Sequence, residues 1–126
     1  TGKTGPLLGA AASALMNALK VLAGIPQETD LVSAASIEPI QTLKTNYLGS
    51  KNPRLHTDEI LIALSSSAAQ NPTAAAALKQ LSHLKGCDMH STVILSSVDM
   101  DTVKKLGMYL TCEPTYEEAD RMYHKK

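Results

Sequence analysis

The spacing of the apolar residues changes near residue 91, and this change most restricts the folds open to the chain. Before it, leucine and alanine recur every three or four residues, which is the period of amphipathic helices. After it, a polar segment separates two short apolar runs at 92–96 and 108–112. Because such runs are typical of buried strands, the pattern predicts a helix-rich block followed by a strand–helix–strand unit.

The first part of the chain predicts four helices. Their expected bounds are about 7–23, 34–48, 57–70 and 73–85. Pro6 suits the first position of a helix and Gly24 suits a C-terminal cap. Ser33 and Thr57 are the expected N-caps of the second and third helices. Pro39 predicts a kink or a restart, because it cannot donate to a carbonyl four residues back.

A strand at 92–96, a short helix capped by Asp99 and a strand at 108–112 form a βαβ unit. Such units have parallel strands and a right-handed crossover, so we predict an α/β fold. Two parallel strands rarely form a stable sheet. We therefore expect further strands from an upstream segment or a second subunit.

The domain organisation follows from the same change of period. We predict a single domain over 1–126, with a helical part at 1–86 and the βαβ part and a charged tail at 87–126. The chain starts at Thr1 rather than at Met, so we expect a fragment of a longer protein.

Composition excludes several classes of protein. Twelve basic residues balance twelve acidic ones, which argues against binding to nucleic acid or an anionic membrane. No apolar run reaches the ~18 residues of a membrane span. Cys87 and Cys112 are the only cysteines, so we expect reduced thiols, no disulfide and a cytoplasmic protein.

Two short segments carry candidate ligand-binding groups. Gly2-Lys3-Thr4 resembles the end of a phosphate loop, and Lys3 and Thr4 are candidate cofactor-binding residues; the alternative is an ordinary turn before a helix. Arg54 can grip a carboxylate or phosphate and His56 can transfer protons, so both are candidate catalytic residues. The alternative is structural. Thr57 caps a helix, the two acids after it complement the helix dipole, and Arg54 and His56 are ordinary surface residues.

The carboxyl ends of the predicted strands offer a further candidate site, because parallel sheets bind ligands there. Ser96 and Ser97 follow the first strand and are candidate cofactor-binding residues. Glu113 follows the second strand and is a candidate catalytic residue. The short helix near Asp99 directs N–H groups to the same edge, although a capped turn explains these residues equally well.

A metal site would have to use Cys87, His90 and Cys112. Three ligands without a paired Cys-X-X-Cys do not match the usual zinc spacing, so we predict no metal. A Cys–His catalytic pair and a buried cysteine beside a strand-entry histidine remain alternatives.

Several stretches together resemble one family. They are, in order, TGKT, NALKVLAG, IEPIQTLK, YLGSKNPRLHTDE, GCDMHSTVILS, KKLGMYLTCEP and YHKK. The chain resembles the C-terminal region of the bacterial domain of unknown function 1846, also called uncharacterised protein family 371. The resemblance implies members about four times as long, in the size class of two- or three-domain proteins. It also implies an upstream Gly-rich segment, and it assigns no catalytic or nucleotide-binding residue here.

Two functions remain open. In the first, this domain of a bacterial cytosolic protein completes a phosphate- or nucleotide-ligand site with the upstream domain. The contributing residues would be Arg54, His56, Ser96, Ser97 and Glu113. In the second, the domain is a non-catalytic module for helical packing and homo-oligomerisation. The sequence identifies neither a reaction nor a specific cofactor.

Overall fold

The computed structural model describes residues 1–113, and the predicted charged tail lies outside them. The helices are α1 (Ala10–Ala23), α2 (Ala34–Thr42), α3 (Thr57–Ala68), α4 (Pro72–Leu78) and α5 (Ser97–Lys105); the strands are β1 (Asp88–Ser91) and β2 (Tyr109–Cys112). A π-helical turn, Leu43–Tyr47, extends α2, and a 3-10 segment, Lys79–Leu84, extends α4. Helices make up 55% of the described residues, so the predicted α/β class is confirmed.

The core is built from leucine, isoleucine and alanine. Leu15 and Leu19 of α1 pack with Ile60 and Leu64 of α3, and all four side chains are essentially inaccessible to solvent. Small alanines on α4 let that helix approach its neighbours closely. Within residues 1–113 no helix is long and apolar enough to cross a membrane.

The sheet has two parallel strands, as predicted, and α5 connects them. The expected position of the first strand was wrong, because β1 occupies Asp88–Ser91 and 92–96 is a loop. The Ser91 hydroxyl donates to Val93 O and accepts from Val93 N–H, which turns the chain after the strand. Of the apolar run, Leu95 is buried, whereas nearly half of Ile94 is exposed.

The entry into α1 also differs from the prediction. Leu55 N–H donates to Leu7 O, and Gly9 N–H donates to Leu55 O. This short parallel bridge keeps the chain extended, so α1 begins at Ala10 rather than after Pro6. In α2, the helix continues through Pro39 without restarting. Ser33 and Gly24 cap their helices as predicted.

A buried carboxylate joins the helical block to the βαβ unit. Asp99 Oδ1 accepts hydrogen bonds from both the backbone N–H and the hydroxyl of Thr57, each at 2.8 Å. Thr57 is 0% exposed and Asp99 is 7% exposed. Two of the expected caps were therefore wrong. The N-cap of α5 is Ser96 rather than Asp99, and the N-cap residue of α3 is His56 rather than Thr57. Asp99 instead accepts the first N–H of α3 from its place on α5.

A second polar contact fixes the loop before α3. Lys44, on the π-helical turn, is buried, and its Nζ donates to Arg54 O at 2.5 Å and to Glu59 Oε1 at 2.8 Å. Glu59 Oε1 also accepts from the His56 backbone N–H at 2.7 Å. Partial burial raises the pKa of Glu59, but the hydrogen bonds from His56 and Lys44 and the Lys44 charge outweigh it and lower that pKa overall.

We expect Asp99→Ala to destabilise the fold by about 2–3 kcal/mol, because the buried donors of Thr57 lose their partner. Thr57→Val removes only the hydroxyl donor and should cost about 1 kcal/mol. Urea unfolding measures both values. The matched control is Asp101→Ala on the exposed side of α5, which should change stability by under about 0.5 kcal/mol. An equal effect of the two aspartates would contradict this role of Asp99.

We expect Glu59→Gln to remove part of the acid sensitivity of the fold. Because the pKa of Glu59 is lower in the folded state, its contribution is complete above its ordinary value near 4.5 and is lost as pH falls through the folded value. At pH 7 the variant should lose about 1–3 kcal/mol, and the difference should shrink on acidification. Urea unfolding as a function of pH measures this, with exposed Glu38→Gln as the control.

Candidate functional site

A cavity of about 410 Å³ lies where the helical block meets the loop after β1. We call it the arginine cavity. Its lining comprises Thr4, Gly9, Ala10, Lys51, Asn52, Arg54, His56, Val93, Ile94, Leu95, Ser96 and Asp99. The structure thus brings together four candidate residues from three segments of the sequence, namely Thr4, Arg54, His56 and Ser96.

A second cavity of about 410 Å³ shares Thr4, Ala10, Val93 and Leu95 with the first. We call it the strand-side cavity. It is lined by the N-terminal segment 1–4, by α1 and by the end of β1 with the following loop. We refer to these two neighbouring cavities together as the N-terminal cleft. Its walls include the end of β1 and the loop that follows, near the edge at which parallel sheets bind ligands.

Three helices present their N-terminal ends to the arginine cavity. Gly9, His56 and Ser96 are the N-cap residues of α1, α3 and α5, and all three line it. Within residues 1–113, the α1 end has no side-chain cap and no acidic residue in its first turn. Unpaired N–H groups and the helix dipole give such an end a partial positive charge. The first turns of α3 and α5 do carry acidic residues, so this argument applies to the α1 end alone.

Arg54 is half-buried and is held in place by backbone contacts. Its Nε donates to Gly5 O at 2.6 Å, and its own N–H donates to Asn52 Oδ1 at 3.1 Å. Within residues 1–113 the guanidinium forms no ion pair. The charge of Arg54 is thus positioned by the fold without being neutralised by a described carboxylate, as a group that binds an exogenous anion requires.

His56 lies beside Arg54 at the start of α3, with its Nδ1 3.2 Å from Glu59 Oε1. Since Glu59 is itself held by Lys44, the imidazole is attached to a fixed group. This arrangement allows His56 to accept or donate a proton within the cavity.

Glu113 lies outside both cavities and contacts a different histidine. Its Oε2 is 3.6 Å from His90 Nε2, while His90 Nδ1 is 2.7 Å from Thr111 Oγ1. The three side chains are exposed on the outer face of the sheet, although His90 also lines the strand-side cavity. Within residues 1–113, Glu113 is therefore linked to the cleft only through His90.

The remaining predicted residues divide between the cleft and the surface. Lys3 lines the strand-side cavity, whereas Ser97 is exposed and lines none of the cavities described above. Cys87 and Cys112 are free thiols that contact carbonyl oxygens, and within residues 1–113 no cluster suited to a metal forms. Sequence reasoning missed Lys51; its place between Gly49 and Asn52-Pro53, in a loop preceding a capped helix, was the available signal.

Comparison with known proteins places these features in a family. The sequence model described as "Domain of unknown function DUF1846, C-terminal" matches residues 1–123. A UPF0371 protein of Corynebacterium efficiens is 58% identical over 126 residues, and one of Corynebacterium aurimucosum is 56% identical over the same length. A UPF0371 protein of Streptococcus thermophilus is 50% identical over 125 residues.

These matches cover 99–100% of this chain but only 25% of each relative. The chain thus spans about a quarter of the length of the curated relatives it matches. Identity at this level over the whole chain leaves no ambiguity about family, and it agrees with the resemblance carried by the sequence motifs. The chain belongs to the DUF1846 C-terminal domain family, whose relatives are UPF0371 proteins of bacteria.

Proposed function

We propose that this domain binds the phosphate group of a small phosphorylated molecule or nucleotide in the N-terminal cleft. The observation that carries the proposal is the convergence of Arg54, Lys51 and His56 with three helix N-terminal ends on one cavity. Phosphate is the biological anion best matched to a guanidinium and to backbone N–H groups together.

The charge balance of the cleft supports an anionic ligand. In the arginine cavity the lining carboxylate is Asp99, and its Oδ1 is already occupied by two donors from Thr57. The strand-side cavity adds Lys3 and His90, and its described lining contains no carboxylate. A phosphate entering the cleft therefore meets an excess of positive groups.

The length of the relatives supports a shared site. The chain spans about a quarter of each relative, so three quarters of such a polypeptide lie outside it. The cleft is open at the surface, and its volume is in the range of small-molecule sites. We therefore propose that an upstream domain closes the cleft over the ligand and supplies the groups that recognise its remainder.

We expect Arg54→Met to weaken phosphate binding by about tenfold, the size of one charge-assisted hydrogen bond. Isothermal titration with inorganic phosphate and with a nucleoside triphosphate measures the affinity and separates the two sources of phosphate. His56→Gln should also weaken binding, because it replaces a ring that lines the cavity beside Arg54. Circular dichroism checks that both variants fold.

The matched control is Lys79→Met, which removes an exposed positive charge outside the cleft. It should leave the phosphate affinity unchanged within about twofold, since exposed charges at a distance are screened by salt. If Arg54→Met and Lys79→Met behave alike, or if chloride competes as well as phosphate, the cleft is not a phosphate site.

Exposed apolar side chains on the π-helical turn favour a second function, packing against another protein. Tyr47 and Leu48, at the end of the π-helical turn, are 77% and 71% exposed, and Leu43 on the same turn is half-exposed. Adjacent exposed apolar side chains of this size mark contact surfaces between proteins. The alternative proposal is that this turn mediates packing against another subunit.

Analytical ultracentrifugation tests this alternative. A contact through the turn predicts a concentration-dependent dimer that Tyr47→Ser with Leu48→Ser shifts towards monomer by tenfold or more, because buried aromatic residues dominate such contacts. Ile62→Ser, an exposed apolar residue on α3, is the control and should have little effect. A monomer at all concentrations would argue against packing between copies of this chain.

A further inference from the structure

A third cavity, of about 240 Å³, is lined by residues 5–8 of the N-terminal segment, by α1 and by residues 30–32. We call it the Lys20 cavity. Most of its wall is aliphatic, formed by Leu7, Met16, Leu31, Val32, Ile37 and Ile60. Lys20 and Asp30 also line it, and neither belongs to the arginine or strand-side cavity. An aliphatic wall with two opposite charges is a distinct chemical environment from the cationic cleft.

Lys20 is the unusual residue of this cavity. It is only 8% exposed, and its Nζ donates to Gln27 O at 2.9 Å. This carbonyl occupies one of the three donors of the ammonium group. Within residues 1–113 Lys20 forms no ion pair. A buried ammonium without a counter-charge is costly to the fold, so a site for a carboxylate is its natural complement.

Two features of the fold make the charge tolerable before a ligand binds. Lys20 lies in the last turn of α1, where the helix dipole favours a cation. The aliphatic part of its side chain also packs favourably against apolar neighbours. These contributions lower the free-energy cost of burying the ammonium group of Lys20. Among the described hydrogen bonds, the group uses one of its three donors, so two remain for a ligand.

Asp30 provides the second charged group. It is exposed at the rim of the cavity and forms no ion pair within residues 1–113, so it does not neutralise Lys20. A cavity with an ammonium, a separate carboxylate and an aliphatic wall complements a molecule carrying a carboxylate, an ammonium and an aliphatic chain.

We propose that the Lys20 cavity binds an aliphatic α-amino acid. Lys20 Nζ pairs with the carboxylate, Asp30 pairs with the α-ammonium, and the aliphatic wall holds the side chain. Pairing with the ligand removes the cost of the isolated buried charge, which gives the carboxylate a larger share of the affinity than an exposed contact would have. The proposal is independent of phosphate binding in the N-terminal cleft.

The test is binding of L-leucine to this chain, measured by saturation-transfer NMR and isothermal titration. Two analogues each lack one charge: 4-methylpentanoate has no ammonium, and 3-methylbutylamine has no carboxylate. We expect leucine to bind at least tenfold more tightly than either analogue, as the loss of a charged hydrogen bond predicts.

Lys20→Met keeps the length and apolar character of the side chain and should weaken leucine binding at least tenfold. Asp30→Asn alters an exposed rim residue, so the fold stays intact, and it should weaken leucine binding while leaving 4-methylpentanoate unaffected. Lys79→Met is the charge-matched control and should change neither.

The proposal is overturned if leucine, isoleucine and valine all fail to bind at about 10 mM, a concentration above the dissociation constants expected for ligands of this size. It is also overturned if Lys20→Met binds leucine normally, or if 4-methylpentanoate matches leucine. Lys51→Met distinguishes the two sites, because Lys51 lines the arginine cavity and not the Lys20 cavity, so the variant should lower phosphate affinity and leave leucine affinity unchanged.

Discussion

The contact between Asp99 and Thr57 is the interaction on which the arrangement of this domain depends. The helical block and the βαβ unit each have local reasons to form, but this buried carboxylate fixes how the two meet. By accepting the first N–H of α3 from within the first turn of α5, it brings two helix N-terminal ends to the same place. The bridge between Leu8 and Leu55 adds the start of α1. The arginine cavity is the space left where these three ends converge.

The polar residues around the cavity have two roles. Some pair with one another and stabilise the fold, and others line the cavity. Lys44 neutralises Glu59 and binds the Arg54 carbonyl, so the buried charges beneath the loop are satisfied. Asp99 is occupied by Thr57. Arg54 and His56 are attached to this framework through Gly5 and Glu59, yet retain donors beyond it. Side chains that the fold already holds in place need little reorganisation on binding, which lowers the entropic cost of the proposed phosphate contact.

The sequence predicted the helices better than it predicted how their ends are satisfied. Leucine and alanine periodicity placed all four helices of the first part, because that pattern is local. The first strand was misplaced because the β-branched run 92–95 has high strand propensity, whereas pairing with Tyr109–Cys112 and the turn at Ser91 depend on distant residues and on a side chain. Asp99 was predicted to cap α5 for a similar reason. No local pattern indicates that its carboxylate accepts the N–H of Thr57, which lies 42 residues earlier in the chain. Of the candidate residues, Arg54, His56 and Ser96 were expected to contribute to one site, and they line one cavity. Thr4 joins them because the bridge between Leu8 and Leu55 brings the N-terminal segment to the loop before α3, a contact that no local pattern indicates.

Helix α1 lines two cavities of different character. Its N-terminal end faces the cationic cleft, while its last turns carry Lys20 into an aliphatic cavity. The same N-terminal segment contributes to both, with Thr4 lining the cleft and Gly5 lining the Lys20 cavity. Because Arg54 Nε holds Gly5 O, a ligand that moved this segment in one cavity would alter the wall of the other. The two proposed sites therefore share a physical connection, and any coupling of their affinities would act equally in both directions.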